Sequence, residues 1–287
     1  MCDRDNEGFI VDTSFTRRSA ILGLSSVAAA CGLPSAAHAA SVTEADVMVK
    51  TADGSTDAVL FHPAGRGAWP AVLLWPDILG LRPVFREMGR RLAAQGYVVL
   101  VPNPFYRTRR APIVTGPFDF GDKPAVVKLF ALKDTLTDAR VDSDTMAFLS
   151  FLDQQKQVDR RKGAGVQGYC FSGPFAFRAA ALRPDRIRAV ASFHGGGLVT
   201  KQPNSPHLLI PKTKAGFLVA IAQNDDKAQP DAKTNLKSAF AAARRPAVVE
   251  VYPADHGWCV AGSKAYNEVA AERAWIKLRN LYRANLG

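Results

Sequence analysis

The residues best suited to chemistry lie in the run VQGYCFSGPFAF, from Val166 to Phe177. Cys170 stands where an apolar, β-prone stretch meets an alanine-rich, helix-prone one. Gly168 precedes it by two residues, Ser172 follows by two, and Gly173 opens the helical stretch. This is the pattern of a nucleophile on a sharp strand-to-helix turn, where the flanking backbones come so close that only small side chains fit between them. At the start of a helix, the dipole and the free backbone N–H groups favour a thiolate, and the N–H of Phe171 can stabilise an oxyanion. Ser172 is the weaker nucleophile, because its own flanks at that distance are Cys170 and Pro174.

A thiol of this kind needs a base and an acid that orients the base. For a nucleophile on such a turn they follow it in the order acid, then histidine. His256, in YPADHGWC, is the only histidine beyond both Cys170 and the candidate acids, since His62, His194 and His207 all come earlier. Pro253 and Gly257 put it in a loop, where an imidazole is free to act as a base. The run NDDKAQP offers two neighbouring acids, of which Asp226 is the first choice and Asp225 the reserve. Asp255 is expected to be a solvated loop residue. The run His194 to Gly197 (HGGG) follows the nucleophile instead of preceding it, and is read as a flexible loop lining the pocket.

The elements that must hold these residues alternate. Two alternating runs, ADVMVKT and TDAVLFHP, flank a turn at Ala52-Asp53-Gly54 and predict an antiparallel edge pair. The continuous apolar run Ala71 to Trp75 predicts a strand covered on both faces. Helix is expected over Val84–Gln95, Asp138–Gln154, Gly173–Leu182, Asp231–Ala243 and about Lys264–Arg283. Strand is expected over Tyr97–Val101, Ala164–Gly168, Ala189–Phe193, Phe217–Ala222 and Ala247–Tyr252. Strands separated by helices imply right-handed crossovers and a mostly parallel sheet, whose ligands sit at the carboxyl ends of the strands. Cys170, His194, the Asp225 and Asp226 pair and His256 all arrive at that edge. Residues 108–137, with five prolines and glycines, are expected to form a lid over it.

Residues 1–39 read as an export signal of the twin-arginine type: Arg17-Arg18, an uncharged run from Ser19 to Ala30, and a small-x-small site at Ala37-His38-Ala39. The run is shorter than the roughly 20 apolar residues a membrane span needs. Lipid attachment at Cys31 is the lesser alternative. The expected location is periplasmic or secreted, without a stable membrane span after cleavage. Residues 40–287 form one domain, with 34 basic against 22 acidic groups. The basic residues are scattered, so a solvated surface is expected and no nucleic-acid partner. Of the four cysteines only Cys170 and Cys259 remain in this domain. That excludes a disulfide scaffold, and no CxxC or HxxxH pair supports a metal site. Cys259 is close enough in sequence to His256 for its thiol to approach Cys170 and form a disulfide.

From about Val59 to the end, the chain resembles the dienelactone hydrolases, in WPDILGL, VPNPFYR, GYCFSGPFAF, the Asp-rich turn before Pro230, and YPADHGW. The resemblance implies an α/β-hydrolase fold, with a mostly parallel central sheet and helices on both faces. It implies a Cys170, Asp226, His256 triad, the family's acid lying four residues before a proline, here Pro230. It also implies that Asp77 pairs with the resting thiol and that the N–H groups of Ile78 and Phe171 form the oxyanion hole. Arg107 would bind a substrate carboxylate, with His194 and Trp258 also in the pocket. A second family arginine is replaced by Val260 and a second family glycine by Ser172. The expected activity is therefore cofactor-independent hydrolysis of a small ester or lactone, anionic if Arg107 is used, through an acyl-thioester. Two other readings fit the same pocket: a non-catalytic small-carboxylate-binding protein, and an acyltransferase.

Overall fold

The computed structural model describes residues 41–287. The expected export segment, with Cys31, lies outside the described residues. Strands β1 (Val42–Thr51) and β2 (Gly54–Pro63) form the expected hairpin, with Thr51 opposite Gly54 at the turn. β2 then pairs antiparallel with β4 (Val98–Pro102). From β4 onward the sheet is parallel, through β3 (Ala71–Trp75), β5 (Ala164–Tyr169), β6 (Ile187–Phe193), β7 (Gly216–Ala222) and β8 (Ala247–Tyr252). The spatial order of the eight strands is β1-β2-β4-β3-β5-β6-β7-β8.

Both faces of the sheet are covered, and the alternation along each strand sorts its side chains between them. Val72 and Leu74 of β3, with Val99 and Val101 of β4, meet α1 (Pro83–Ala93) and α7 (Glu268–Asn285) through Phe85, Leu92, Leu278 and Tyr282. Leu73 and Trp75, with Val98 and Leu100, meet α3 (Asp138–Asp153), α4 (Gly173–Leu182) and α6 (Ala232–Ala242) through Phe148, Phe177 and Phe240. Each fully buried Leu, Val or Phe in these two cores contributes about 1.5–3 kcal/mol.

Three elements depart from expectation. The lid stretch contains a helix, α2 (Lys123–Asp134), started by the Asp122 side chain accepting from the N–H of Ala125. The closing helix begins at Glu268, not at about Lys264, because the Asn267 side chain caps it by accepting from the N–H of Ala270. A short helix, α5 (Gln223–Ala228), follows β7 and carries both candidate acids. No helix among the described residues is long and apolar enough to cross a membrane.

Candidate active site

β5 runs straight into a helical segment, a 3-10 turn at Cys170–Ser172 followed directly by α4. Cys170 sits at the break with φ 57°, a left-handed conformation that costs a non-glycine residue about 1–3 kcal/mol. Close packing and hydrogen bonds hold it there. A Cβ on Gly168 would lie 2.1 Å from the carbonyl oxygen of Ser172, so this position requires glycine. A Cβ on Gly173 would meet Ser192 Oγ at 2.4 Å and the Gly195 Cα at 2.8 Å. Ser172, where the family pattern has glycine, uses its hydroxyl to close the turn. Its Oγ accepts from the Tyr169 N–H at 2.8 Å, and its proton faces the carbonyls of Tyr169 and Trp75, at 2.9 and 3.1 Å. The turn thus leaves the Cys170 thiol half-buried at the carboxyl end of β5.

His256 meets this thiol, with Nε2 3.1 Å from Cys170 Sγ. Its other ring nitrogen, Nδ1, is 2.8 Å from Asp225 Oδ2. The loop after β8 is fastened to the start of α5 by two residues the sequence pattern had not singled out. The Asn224 side chain accepts from the His256 N–H at 2.9 Å, and the Gln223 N–H donates to the Ala254 carbonyl at 3.0 Å. The expectation of Asp226 is therefore corrected to Asp225. On a helix, neighbouring residues point about 100° apart. When Asp225 faces His256, Asp226 faces away and pairs with Lys233 at 2.6 Å.

Burial opposes a charge on His256, but the hydrogen bonds it donates to Asp225 and Cys170, together with their charges, outweigh it and push its pKa up to about 10. Because the folded value lies above the ordinary 6.5, the imidazolium stabilises the fold fully below about pH 6.5. That contribution is lost as pH rises through about 10. Following the His256 ring protons by NMR should show a midpoint near pH 10, and Asp225→Asn should lower it. A midpoint in the ordinary imidazole range in the native chain would contradict the geometry.

The model of the dienelactone hydrolase family matches residues 56–286. The chain belongs to the dienelactone hydrolase family. Among its relatives, a Synechocystis sp. protein is 28% identical over 232 residues, covering 79% of this chain and 91% of that one. The carboxymethylenebutenolidase of Rhodococcus opacus is 27% identical over 200 residues, covering 69% of this chain and 73% of that one. A solved structure from Klebsiella pneumoniae shares the fold at TM-score 0.73 and 23% identity, covering 85% of this chain and 99% of that one. The eight-stranded sheet is thus that of an α/β-hydrolase, and the chain is a hydrolase.

Several family-implied roles need correction. Asp77 does not pair with the thiol. Arg82 grips its carboxylate through both terminal nitrogens, at 2.5 and 2.8 Å, and Oδ1 also accepts from the Leu79 N–H. The side chain is too short to serve the turn and reach farther. Arg107 is not presented to a substrate either. Its guanidinium makes a two-pronged pair with Asp144 at 2.7 and 2.8 Å, a third bond to Asp53 at 2.7 Å, and lies over the Tyr106 ring. It ties the β1–β2 turn to α3. Trp258 is fully buried and stacked on Tyr252, part of the α1 and α7 core and not of a pocket wall. His194 is also buried, with φ 39°, and its ring stands edge-on to that of His256 at 4.6 Å. Burial, and then the neighbouring His256 charge, push its pKa well below the ordinary value and keep it neutral.

No bridge joins the two thiols. Both are free, and Cys259 packs in the α1 and α7 core, where burial pushes its pKa well up. Two backbone N–H groups near the thiol are left without an acceptor among the described residues. Ile78 lies in the turn after β3, and its N–H meets no acceptor among the described residues. Phe171 lies in the first turn of the helical segment, where backbone N–H groups have no acceptor behind them. The side chains of both pack around Cys170 with Phe105, Ile113 and Leu129, the last two from the stretch expected to be a lid.

Removing the Arg107 side chain should damage the fold more than the chemistry. Asp144 is 1% exposed and would lose its countercharge, keeping only the hydrogen bond donated by the Tyr106 hydroxyl, at a cost of about 3–5 kcal/mol. Thermal unfolding of Arg107→Ala should show a drop of that size, with KM for an uncharged ester unchanged. A raised KM with unchanged stability would restore Arg107 to the substrate site.

Proposed function

We propose that the chain hydrolyses small uncharged carboxylic esters or lactones through an acyl-thioester on Cys170. The single observation that carries this is the chain of contacts from Cys170 Sγ through His256 to Asp225, at 3.1 and 2.8 Å. The thiolate attacks the acyl carbon, and the developing oxyanion is held by the N–H groups of Ile78 and Phe171. His256, positively charged beside the thiolate, gives its proton to the departing alkoxide, or to the ring oxygen of a lactone. Now neutral, it takes a proton from water, whose oxygen attacks the thioester carbonyl. Thiolate and imidazolium are then restored, and Asp225 has held the ring in register throughout.

An uncharged substrate is supported by what surrounds the thiol. Ile78, Phe105, Ile113, Leu129 and Phe171 present apolar carbon, and Arg107 is committed to Asp144 and Asp53. In this reading residues 108–137 act as a cap that selects the acyl group, and residues 1–39 carry the folded chain out of the cytoplasm. The Arg17-Arg18 pair and the Ala37-His38-Ala39 site support export. The test is to mix the chain with p-nitrophenyl acetate and quench within one turnover. A burst of p-nitrophenol should accompany one hydroxylamine-sensitive acetyl group on the Cys170 peptide. Turnover without any acetylated cysteine would reject the thioester route, and absence of any turnover across an ester and lactone panel would reject the hydrolase assignment.

A further inference from the structure

His194 has a second peculiarity besides its left-handed backbone. Both ring nitrogens are buried and neither has a hydrogen-bond partner among the described residues. An imidazole buried with its one donor and one acceptor both unmet has given up its bonds to water for nothing in return. Such a residue, strained and unpaired, persists where something else uses it. The ring lies against His256, and one ligand atom each from Cys170, His194 and His256 falls within 4.8 Å of the others. These three come from the ends of β5, β6 and β8, so no sequence spacing betrays them.

We propose that Cys170, His194 and His256 form a three-ligand site for a thiophilic divalent cation of the Zn2+ type, and that the bound cation reversibly sequesters the nucleophile. One sulfur and two imidazole nitrogens are a donor set that suits Zn2+ and leaves a fourth, open position. A tetrahedral ion with ordinary bond lengths holds such atoms about 3.3–3.5 Å apart, so the triangle needs to contract by up to about 1.5 Å at its widest. The His256 ring is already set for the task. Its Nε2 faces the thiol while Nδ1 is held by Asp225, the carboxylate–histidine arrangement that orients metal-binding imidazoles. The 3.1 Å contact between Cys170 Sγ and His256 Nε2 is a hydrogen bond, with its proton lying between the two atoms. Coordination of the thiolate and the neutral imidazole releases that proton to solvent, with no other bond made or broken.

The test uses the full chain and reads binding, not turnover, so its failure is distinct from a failure of the hydrolase assignment. Zn2+ is titrated in competition with a chromophoric chelator, and Co2+ is titrated while thiolate-to-metal charge transfer is followed. One equivalent of each should bind, the cobalt band should appear, and one proton should be released per ion. Cys170→Ser should abolish the band. His194→Gln should weaken Zn2+ binding at least tenfold, and His194→Phe, which refills the buried space with a ring, should do the same if the glutamine variant fails to fold. Absence of the cobalt band, or Zn2+ binding as tight in either folded His194 variant as in the native chain, would overturn the proposal.

Discussion

Cys170→Ala is expected to reduce turnover of an activated ester by a factor on the order of 10³ to 10⁶, and to eliminate the acetylated enzyme altogether. The magnitude follows from what the variant retains. In the proposed mechanism the N–H groups of Ile78 and Phe171 and the apolar surroundings survive, and these alone should keep a small rate above that of water. What is lost is the attacking atom, and no neighbour can replace it. Ser172, two residues on, spends its hydroxyl on the Tyr169 and Trp75 carbonyls inside the turn. Cys170→Ser tests a subtler point. His256 is tuned to sit beside a thiolate, and a serine hydroxyl gives up its proton far less readily, so the serine variant should stay folded yet recover little of the loss. Stopped-flow measurement of the p-nitrophenol burst checks both variants. A normal burst from Cys170→Ala would place the nucleophile elsewhere.

The second large effect separates two adjacent residues. Asp225→Asn should lower kcat by about 10²–10⁴, because an amide can neither fix the imidazole with its Nε2 toward the thiol nor balance the imidazolium. Asp226→Asn should leave kcat within a fewfold of the native value. Its carboxylate faces Lys233, with side chains 17% and 35% exposed, and a pair partly open to water contributes little. Steady-state kinetics on the two variants, side by side, decides the matter. Equal losses, or the larger loss in Asp226→Asn, would contradict the contacts of α5.

Why the sequence points to the wrong neighbour is a matter of local physics. The sheet is readable because short apolar runs such as AVLLW, bounded by glycine and proline and alternating with helical patterns, fit strands covered on both faces. The turn at Cys170 was readable because close backbone approach leaves a mark in residue size, and Gly168 carries it. The six-residue helix QNDDKA leaves no such mark. It has no apolar periodicity, so nothing in the pattern reveals that Asp225 and Asp226 point in different directions. The helix Lys123–Asp134 was missed for a related reason, since only Leu129 of its residues is buried and its apolar residues lie on no single stripe. Arg107 and His194 are illegible in the sequence because their decisive partners are remote. Asp144 is 37 residues from Arg107 on another helix, and the solvent exclusion around His194 is created only when β6 and the β8 loop come together.

The small cluster formed by Ile78, Phe105, Ile113 and Leu129 belongs to neither of the two cores that flank the sheet. The parts that break bonds are anchored to strand ends, whereas the parts that would choose an acyl group hang largely on one stretch of chain beside them. Exchanging residues 113–134 for a stretch of different shape offers a route to new substrates that leaves Cys170, Asp225 and His256 on the strand ends that hold them, as long as the Arg109 carbonyl and the Ala111 N–H keep their bonds to Asn103 and Asp57.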